Sequence, residues 1–414
     1  MLSAAISLRG ASQVIDFFRQ CLPVPLPLAS CSWTAGRLWL LRLGYYKLTR
    51  PKKVANDWIW IIDHSVQIGA EKCLVILGLR LADLPPVGLR VSHADVEAIE
   101  LLPVTKSNGE VVWQQLEQAV HTTGVPREIV SDHGSDLRVG IRTFCEAHPE
   151  CCSIYDITHK AANVLKHTLE HDEAWQRFTS LAAQSKSQIQ QTAIAYLRAP
   201  KQQSKARYMN VKPLVTWGWK LLTKLDQGAA ESILPLERPQ VEQKLGWIRT
   251  FRESLEEWYA LMQLIDTTEQ VVRDEGIHHK MTTVLQQRLD ELEGTESERT
   301  RKVKHELMTF VQKEATKAKP DERLLGSSEV IESVFGKLKR LEQDQTNSGF
   351  TVLILSVAAM VSTTTTDVIH QAMERVSTKM VLNWCRNTFG KSVQAKRKEA
   401  FAGIEKPGTK TGFS

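Results

Sequence analysis

The chain has 414 residues, 42% of them apolar and 24% charged, an ordinary water-soluble balance with length enough for two or three cores. Its seven cysteines form no CxxC pair, which excludes a zinc ribbon and a disulfide framework and fits a reducing cytoplasm. No secretory signal opens it, and its longest apolar stretch, residues 350–361, is too short to span a bilayer and reads as a buried helix. The net charge of +6 is uneven: residues 1–56 hold eight basic side chains against Asp16, so this segment is +7 and the remaining 358 residues sum to −1. A basic segment on a near-neutral body points to a polyanion partner, the alternative being a solvated basic face.

Residues 3–22 have helical spacing, with Ile6, Val14, Phe17, Phe18 and Leu22 on one face, until Pro23, Pro25 and Pro27 break the run. A second helix is expected over 32–44, with Gly44 as its stop. Two short helices, the second carrying Arg37 and Arg42, suggest either a helix-turn-helix for DNA or a helical hairpin packed on the next domain.

Short apolar runs come next. Residues 58–62 and 73–79 read as strands joined by a turn near Gly69, and 98–104 as a third. Residues 108–123 read as an amphipathic helix ended by Gly124 and Pro126. A strand at 127–131, a helix at 137–147 and a strand at 152–157 complete a β-β-β-α-β-α-β order. From 160 to about 320 the spacing is helical, with breaks at Pro200, Pro213, Gly228, Pro235 and Pro239. Leu255, Trp258, Leu261 and Leu264 there imply helix-on-helix packing. Pro320 closes this block, and Ser328 is placed to cap the next helix. More helices are expected through 350–390, and the polar stretch from Lys396 is expected to fray.

Three acids stand out against this layout. Asp63 ends one apolar run, Asp132 ends Arg127-Glu-Ile-Val-Ser-Asp132, and Glu332 lies in Ser327-Ser-Glu-Val-Ile-Glu332-Ser-Val-Phe-Gly336. Carboxylates at two strand ends plus one from a distant helix are what a two-metal phosphoryl-transfer site requires. Asp136 competes with Asp132 but falls past the strand, where it suits a helix cap; Glu329 competes with Glu332 from one turn away. His64 and His133, next to the Asp residues, should point to the opposite faces of their strands.

With these acids in this order, the chain resembles the DDE transposases and integrases, and in particular hAT-type and related transposases of bacterial insertion sequences. Asp156-Ile-Thr-His159 matches their C/D-x-x-H motif, and residues 327–339 are similar to their pattern around the last acid. The resemblance implies an RNase H-like mixed α/β sheet with flanking helices, interrupted by a large all-α insertion. The implied division is a basic helical module at 1–56, catalytic parts at 57–160 and 323–395, a helical insertion at 161–322 and a flexible tail at 396–414. It implies Asp63, Asp132 and Glu332 as catalytic residues and ligands of two Mg²⁺ or Mn²⁺ ions, with Asp156, His159 and Glu329 as accessory candidates. His159 would orient a carboxylate or touch a phosphate, or else is a core histidine.

The partners implied are double-stranded DNA, both transposon ends and target, and further copies of the chain in a dimer or larger synaptic complex in the nucleoid. Arg37, Arg42, Lys201, Lys205, Arg207, Lys337, Lys339 and Arg340 are candidate phosphate contacts, with solvated surface as the alternative. Of Trp217, Trp219, Trp247 and Trp258, one would stack on a flipped base, although packing is the commoner role. The competing functions are an RNase H-like nuclease without strand transfer and a domesticated transposase that only binds DNA.

Overall fold

The computed structural model describes residues 6–21, 32–65, 72–85, 88–202, 211–226, 238–343, 352–390 and 400–402. The expected breaks at Pro23, Pro25, Pro27, Gly228 and Pro235, the turn near Gly69 and most of the tail from Lys396 lie outside these residues. The chain divides into two compact units: Met1–Leu84 with Val91–Ser153 and Ser328–Ser414, and Pro85–Arg90 with Ile154–Ser327.

The first unit begins with α1 (Leu8–Cys21) and α2 (Trp33–Thr49). Strands β1 (Trp58–His64), β2 (Lys72–Arg80) and β3 (Glu97–Val104) lead to α3 (Gly109–Thr123), β4 (Glu128–Ser131), α4 (Ser135–Ala147) and β5 (Cys152–Tyr155). The strand order is β3-β2-β1-β4-β5, with β1 and β2 antiparallel, β2 and β3 antiparallel, and β1 and β4 parallel. This is the mixed α/β, RNase H-like sheet with flanking helices that the resemblance implies.

Alternation along the strands decides which helices cover which face. Trp58, Trp60, Ile62, Leu74, Ile76 and Ile129 form one core with Val112 and Leu116 of α3 and Leu137, Ile141 and Phe144 of α4. The later helices of this unit are α12 (Glu329–Gln343), α13 (Leu355–Met360), α14 (Thr366–Arg375) and α15 (Thr378–Phe389). Of these, α12 packs on β1, while α13 and α15 join α2 against β3. All of α13 is buried, as the apolar stretch around it suggested.

Gly44 does not stop α2, which runs on to Thr49. A Cβ at Gly44 would lie 2.0 Å from the Leu355 carbonyl oxygen, so the residue is there to let α2 and α13 touch backbone to backbone. Leu40 and Leu43 of α2 share a core with Ala359 and Ala372. Lys47 is 1% exposed and its ammonium donates to the Val361 and Ser362 carbonyls at 2.7 and 2.9 Å and to Thr364 Oγ1 at 2.6 Å. The basic segment at 1–56 is therefore built into the sheet-bearing unit through α2.

The second unit contains α5 (Ile157–Leu169), α6 (Glu173–Ile189), α7 (Val211–Asp226), α8 (Arg238–Leu245), α9 (Arg252–Glu275), α10 (Met281–Asp290) and α11 (Glu298–Ala315). It is helical apart from a single bridge between Ile277 and Leu324 among the described residues. Pro213 and Pro239 sit in the first turns of α7 and α8, where a missing N–H costs no helical bond. Ile157 opens α5 instead of ending a strand, because Asp156 caps that helix by accepting the His159 N–H at 2.9 Å. Among the described residues no helix is long and apolar enough to cross a membrane.

Candidate active site at the strand ends

Asp63 is the sixth residue of β1, and Asp132 is the first residue past β4. In the parallel β1–β4 ladder Ile59 faces Glu128, Trp60 faces Ile129 and Ile61 faces Val130, an offset of 69 each time. Asp63 and Asp132 differ by the same 69 and follow the last paired residues, Ile61 and Val130, by two positions each, so the two acids stand at the ends of neighbouring strands. Residues opposite one another in a parallel pair share a face. Trp60, Ile62 and Ile129 belong to the core under α3 and α4, so alternation turns Asp63 to the other face, whereas Asp132, past the end of β4, lies near enough to His64 on the α3/α4 side to favour its charged form.

The turn after β4 is held by its own side chains. Asp132 Oδ1 accepts the Gly134 N–H at 2.8 Å, and His133 Nε2 lies 2.9 Å from Ser153 Oγ at the start of β5. Between them His133 has φ +53°, a left-handed conformation that few non-glycine residues adopt. Strained backbone of this kind beside a carboxylate is a common feature of functional sites. Asp63 Oδ1 similarly accepts the His64 N–H, at 2.6 Å.

Glu332 lies in the first turn of α12. That helix packs on β1, and since α3 and α4 fill the other face, α12 covers the face to which Asp63 turns. Ile331, Val334, Phe335 and Leu338 are buried, Glu332 is half-buried beside them, and Glu329 is exposed. Burial therefore separates the two glutamates that spacing left as competitors. Shortly before α12, the Gly326 carbonyl accepts the Ile157 N–H at 3.1 Å, which ties the two ends of the helical unit together.

Among the described residues no three His, Cys, Asp or Glu side chains stand close enough together to hold a metal ion. Asp63 and Asp132 close the ends of β1 and β4 and Glu332 lies on α12, which packs on β1, but their carboxylates are not gathered into a cage. Mg²⁺ asks for less than a cage: it keeps several waters and takes one or two carboxylates from the protein plus substrate phosphate oxygens. The oxygen-only donor set fits such an ion, provided the Asp63 and Asp132 side chains turn away from the His64 and Gly134 N–H groups they accept from.

A second cluster lies on the α3/α4 face of the same sheet. His64 Nε2 is 3.2 Å from Ser107 Oγ, and Asp136 Oδ2 is 3.8 Å from His64 Nδ1 and 3.6 Å from Lys72 Nζ. Burial lowers the His64 pKa, helped by Lys72 and opposed by Asp136 and Asp132. Burial alone would raise that of Asp136, but the Ser107 hydroxyl, His64 and Lys72 outweigh it and hold the carboxyl below its usual range. Asp136 does not cap α4, as its position suggested; the N-cap is Gly134, with no side-chain bond. The meeting of a residue preceding α3, the end of β1 and the first turn of α4 has no signal in the linear sequence.

The accessory and basic candidates are scattered. Asp156 is 1% exposed as the cap of α5, and His159 follows in its first turn. Arg42 is turned inward, its guanidinium donating to the Val376 carbonyl at 2.5 Å and to that of Met373 at the end of α14. Lys337 Nζ lies 2.8 Å from His93 Nδ1. Arg37 is half-buried, while Lys201, Lys339 and Arg340 are exposed; Lys205 and Arg207 lie outside the described residues.

The tryptophans of the helical unit mostly pack together. Trp258 is fully buried against Trp175 and Phe178, and Trp217 and Trp247 donate to the Leu197 carbonyl and Ser185 Oγ. Trp219 stacks on Tyr259 at 5.3 Å.

No protein-family model matches the sequence, and no curated protein does. Among solved structures the chain is similar to the Drosophila P element transposase strand transfer complex, at 10% identity and a TM-score of 0.43, over 89% of this chain and 92% of that chain. At that identity and score the likeness carries no weight for function; the strand-end acids carry it instead.

Proposed function

We propose that the chain is a DDE-type transposase that cleaves and joins DNA ends, with Asp63, Asp132 and Glu332 as its catalytic carboxylates. The observation that supports this reading is the offset of 69 in the β1–β4 ladder, which equals the separation of Asp63 and Asp132 at the ends of those strands, with the helix of Glu332 packed on β1. Asp63 and Asp132 would hold Mg²⁺ or Mn²⁺ together, with Glu332 supplying a further oxygen. When bound, such ions lower the pKa of a water or activate a 3′-hydroxyl and stabilise the leaving oxygen. The residues' own part is to present oxygen donors from rigid backbone. The turn at His133 fixes where Asp132 starts, and the buried Ile331 and Phe335 fix the rotation of α12 and hence the direction of Glu332.

The test uses labelled duplexes cut from the DNA flanking the reading frame. Nicked and joined products should appear only with Mg²⁺ or Mn²⁺. Asp63→Asn and Asp132→Asn should lose both while keeping their far-ultraviolet spectrum and DNA binding. Variants that cut as well as the parent would remove the assignment. Nicking without joining would leave a nuclease, and binding without cutting a DNA-binding remnant.

A further inference from the structure

A pair of thiols meets in the sheet-bearing unit. Cys145 lies in the last turn of α4, and Cys151 follows a short turn and leads into β5. Their sulfur atoms are 3.9 Å apart. A disulfide bond is about 2.05 Å long, so side-chain rotation alone separates this contact from a bond. Cys152 donates its N–H to the Arg127 carbonyl at 3.0 Å, just before β4. The pair therefore stands at the end of β4 opposite to Asp132.

The backbone holds the two cysteines in place without help from the sulfurs. His148 N–H donates to the Phe144 carbonyl and Cys151 N–H to the His148 carbonyl, both at 2.9 Å. Pro149 fixes one further dihedral of the turn. The closure entropy that opposes a disulfide in a flexible chain has thus been lost already on folding. The two thiols are not equivalent. Cys145 is half-buried, so a reagent in solution reaches it, while Cys151 is 4% exposed. The Cys145 thiol first and burial second hold the Cys151 pKa well above its usual range, with Arg127 opposing.

We propose that Cys145 and Cys151 are a redox modification site and close a reversible disulfide, with a small-molecule disulfide such as oxidised glutathione as the oxidant. Exposure sets the order of events. The Cys145 thiolate attacks one glutathione sulfur, the glutathione S–S bond breaks, and one reduced glutathione leaves with the proton that Cys145 gave up. Cys151 then loses its proton and attacks the Cys145 sulfur, and the second glutathione leaves as thiol. Two protein thiols are oxidised and one glutathione disulfide is reduced to two thiols. This is one reversible bond, not a framework.

The test equilibrates the full chain in defined mixtures of reduced and oxidised glutathione, quenches with acid, alkylates the unfolded protein with iodoacetamide and cuts it with trypsin. Arg142 and Lys160 bound a single peptide that holds Cys145, Cys151 and Cys152. Mass spectrometry should find three alkyl groups on it in reduced protein and one, on Cys152, after oxidation. At the glutathione ratio that oxidises half of the folded chains, the oxidised-to-reduced ratio in urea should be at least about tenfold lower. Cys152→Ser should keep the bond, and Cys145→Ser and Cys151→Ser should each abolish it. The readout uses no DNA, so the site stands or falls apart from the strand-end acids. Three alkyl groups at every ratio, a peptide that stops at the glutathione adduct, an equal oxidised fraction in urea, or a disulfide that survives Cys145→Ser would overturn the proposal.

Discussion

In the sheet-bearing unit residues 58–62 and 73–77 are buried and apolar, and Asp63 and Asp132 appear only where their strands end. In the helical unit interior charges lean on one another: Glu314 is 3% exposed and pairs with Lys317 at 2.7 Å, Asp156 is 1% exposed, and Glu269 shares Arg273 with Thr158. Strand-end charges are positioned by backbone register, which pH does not move. The interior charges of the helical unit are positioned by one another, so their balance shifts with protonation. The sheet-bearing unit has buried charge too: Lys47, an ammonium enclosed by carbonyl oxygens, and Arg127 and Glu128 at the start of β4, 6% and 0% exposed.

The largest effect that would break this contrast is on activity. Asp63→Asn or Asp132→Asn should cost about a thousandfold in strand cleavage, roughly 4 kcal/mol of barrier, with little change in melting temperature. A large loss of stability in either variant would mean that the aspartates hold the sheet rather than serve a site.

Next comes the packing of α2 on α13. Gly44→Ala places a methyl 2.0 Å from the Leu355 carbonyl oxygen and should destabilise the chain by about 3 kcal/mol in urea unfolding. An unaffected midpoint would mean that the two helices can part without loss.

Two pH profiles then separate the units. The Glu269 pKa is raised from 4.5 to about 7, so between those values the folded chain holds a proton that the unfolded chain has released. Its contribution is present below pH 4.5 and is lost as the pH rises through 7, on the order of 3 kcal/mol. Glu269→Gln should flatten that part of the stability curve. Lys47 has the opposite sign. Burial first, then Arg50 and Lys52, lower it from 10.5 to about 8 against the pull of Glu97. Its contribution is present above pH 10.5 and is lost as the pH falls through 8. Lys47→Met should flatten the curve there while costing about 1–2 kcal/mol from the carbonyls left without a donor. Unchanged slopes in chemical unfolding at stepped pH would count against both assignments.

Much of the sheet was legible because alternation and apolar runs report burial directly, and because an Asp closing such a run has one obvious place to be. What escaped depended on contacts between distant residues. Gly44 has the look of a helix stop, and only the neighbouring Leu355 carbonyl reveals it as a point of close approach. Asp156 and His159 match a motif, yet their visible bond is a helix cap, a local feature that the same residue types produce anywhere. Arg42 counted as surface charge until the end of α14 claimed it. Glu329 and Glu332 were inseparable by spacing and differ by exposure alone.

The convergence of Asp63, Asp132 and Glu332 on shared ions can be measured directly by replacing Mg²⁺ with Fe²⁺ in the DNA-bound chain and cutting the backbone with locally generated hydroxyl radicals. Scission should occur at three places, around residues 63, 132 and 332, and should fade together as Mg²⁺ is added back. Cuts confined to one of these segments, or found elsewhere and indifferent to Mg²⁺, would contradict a common site.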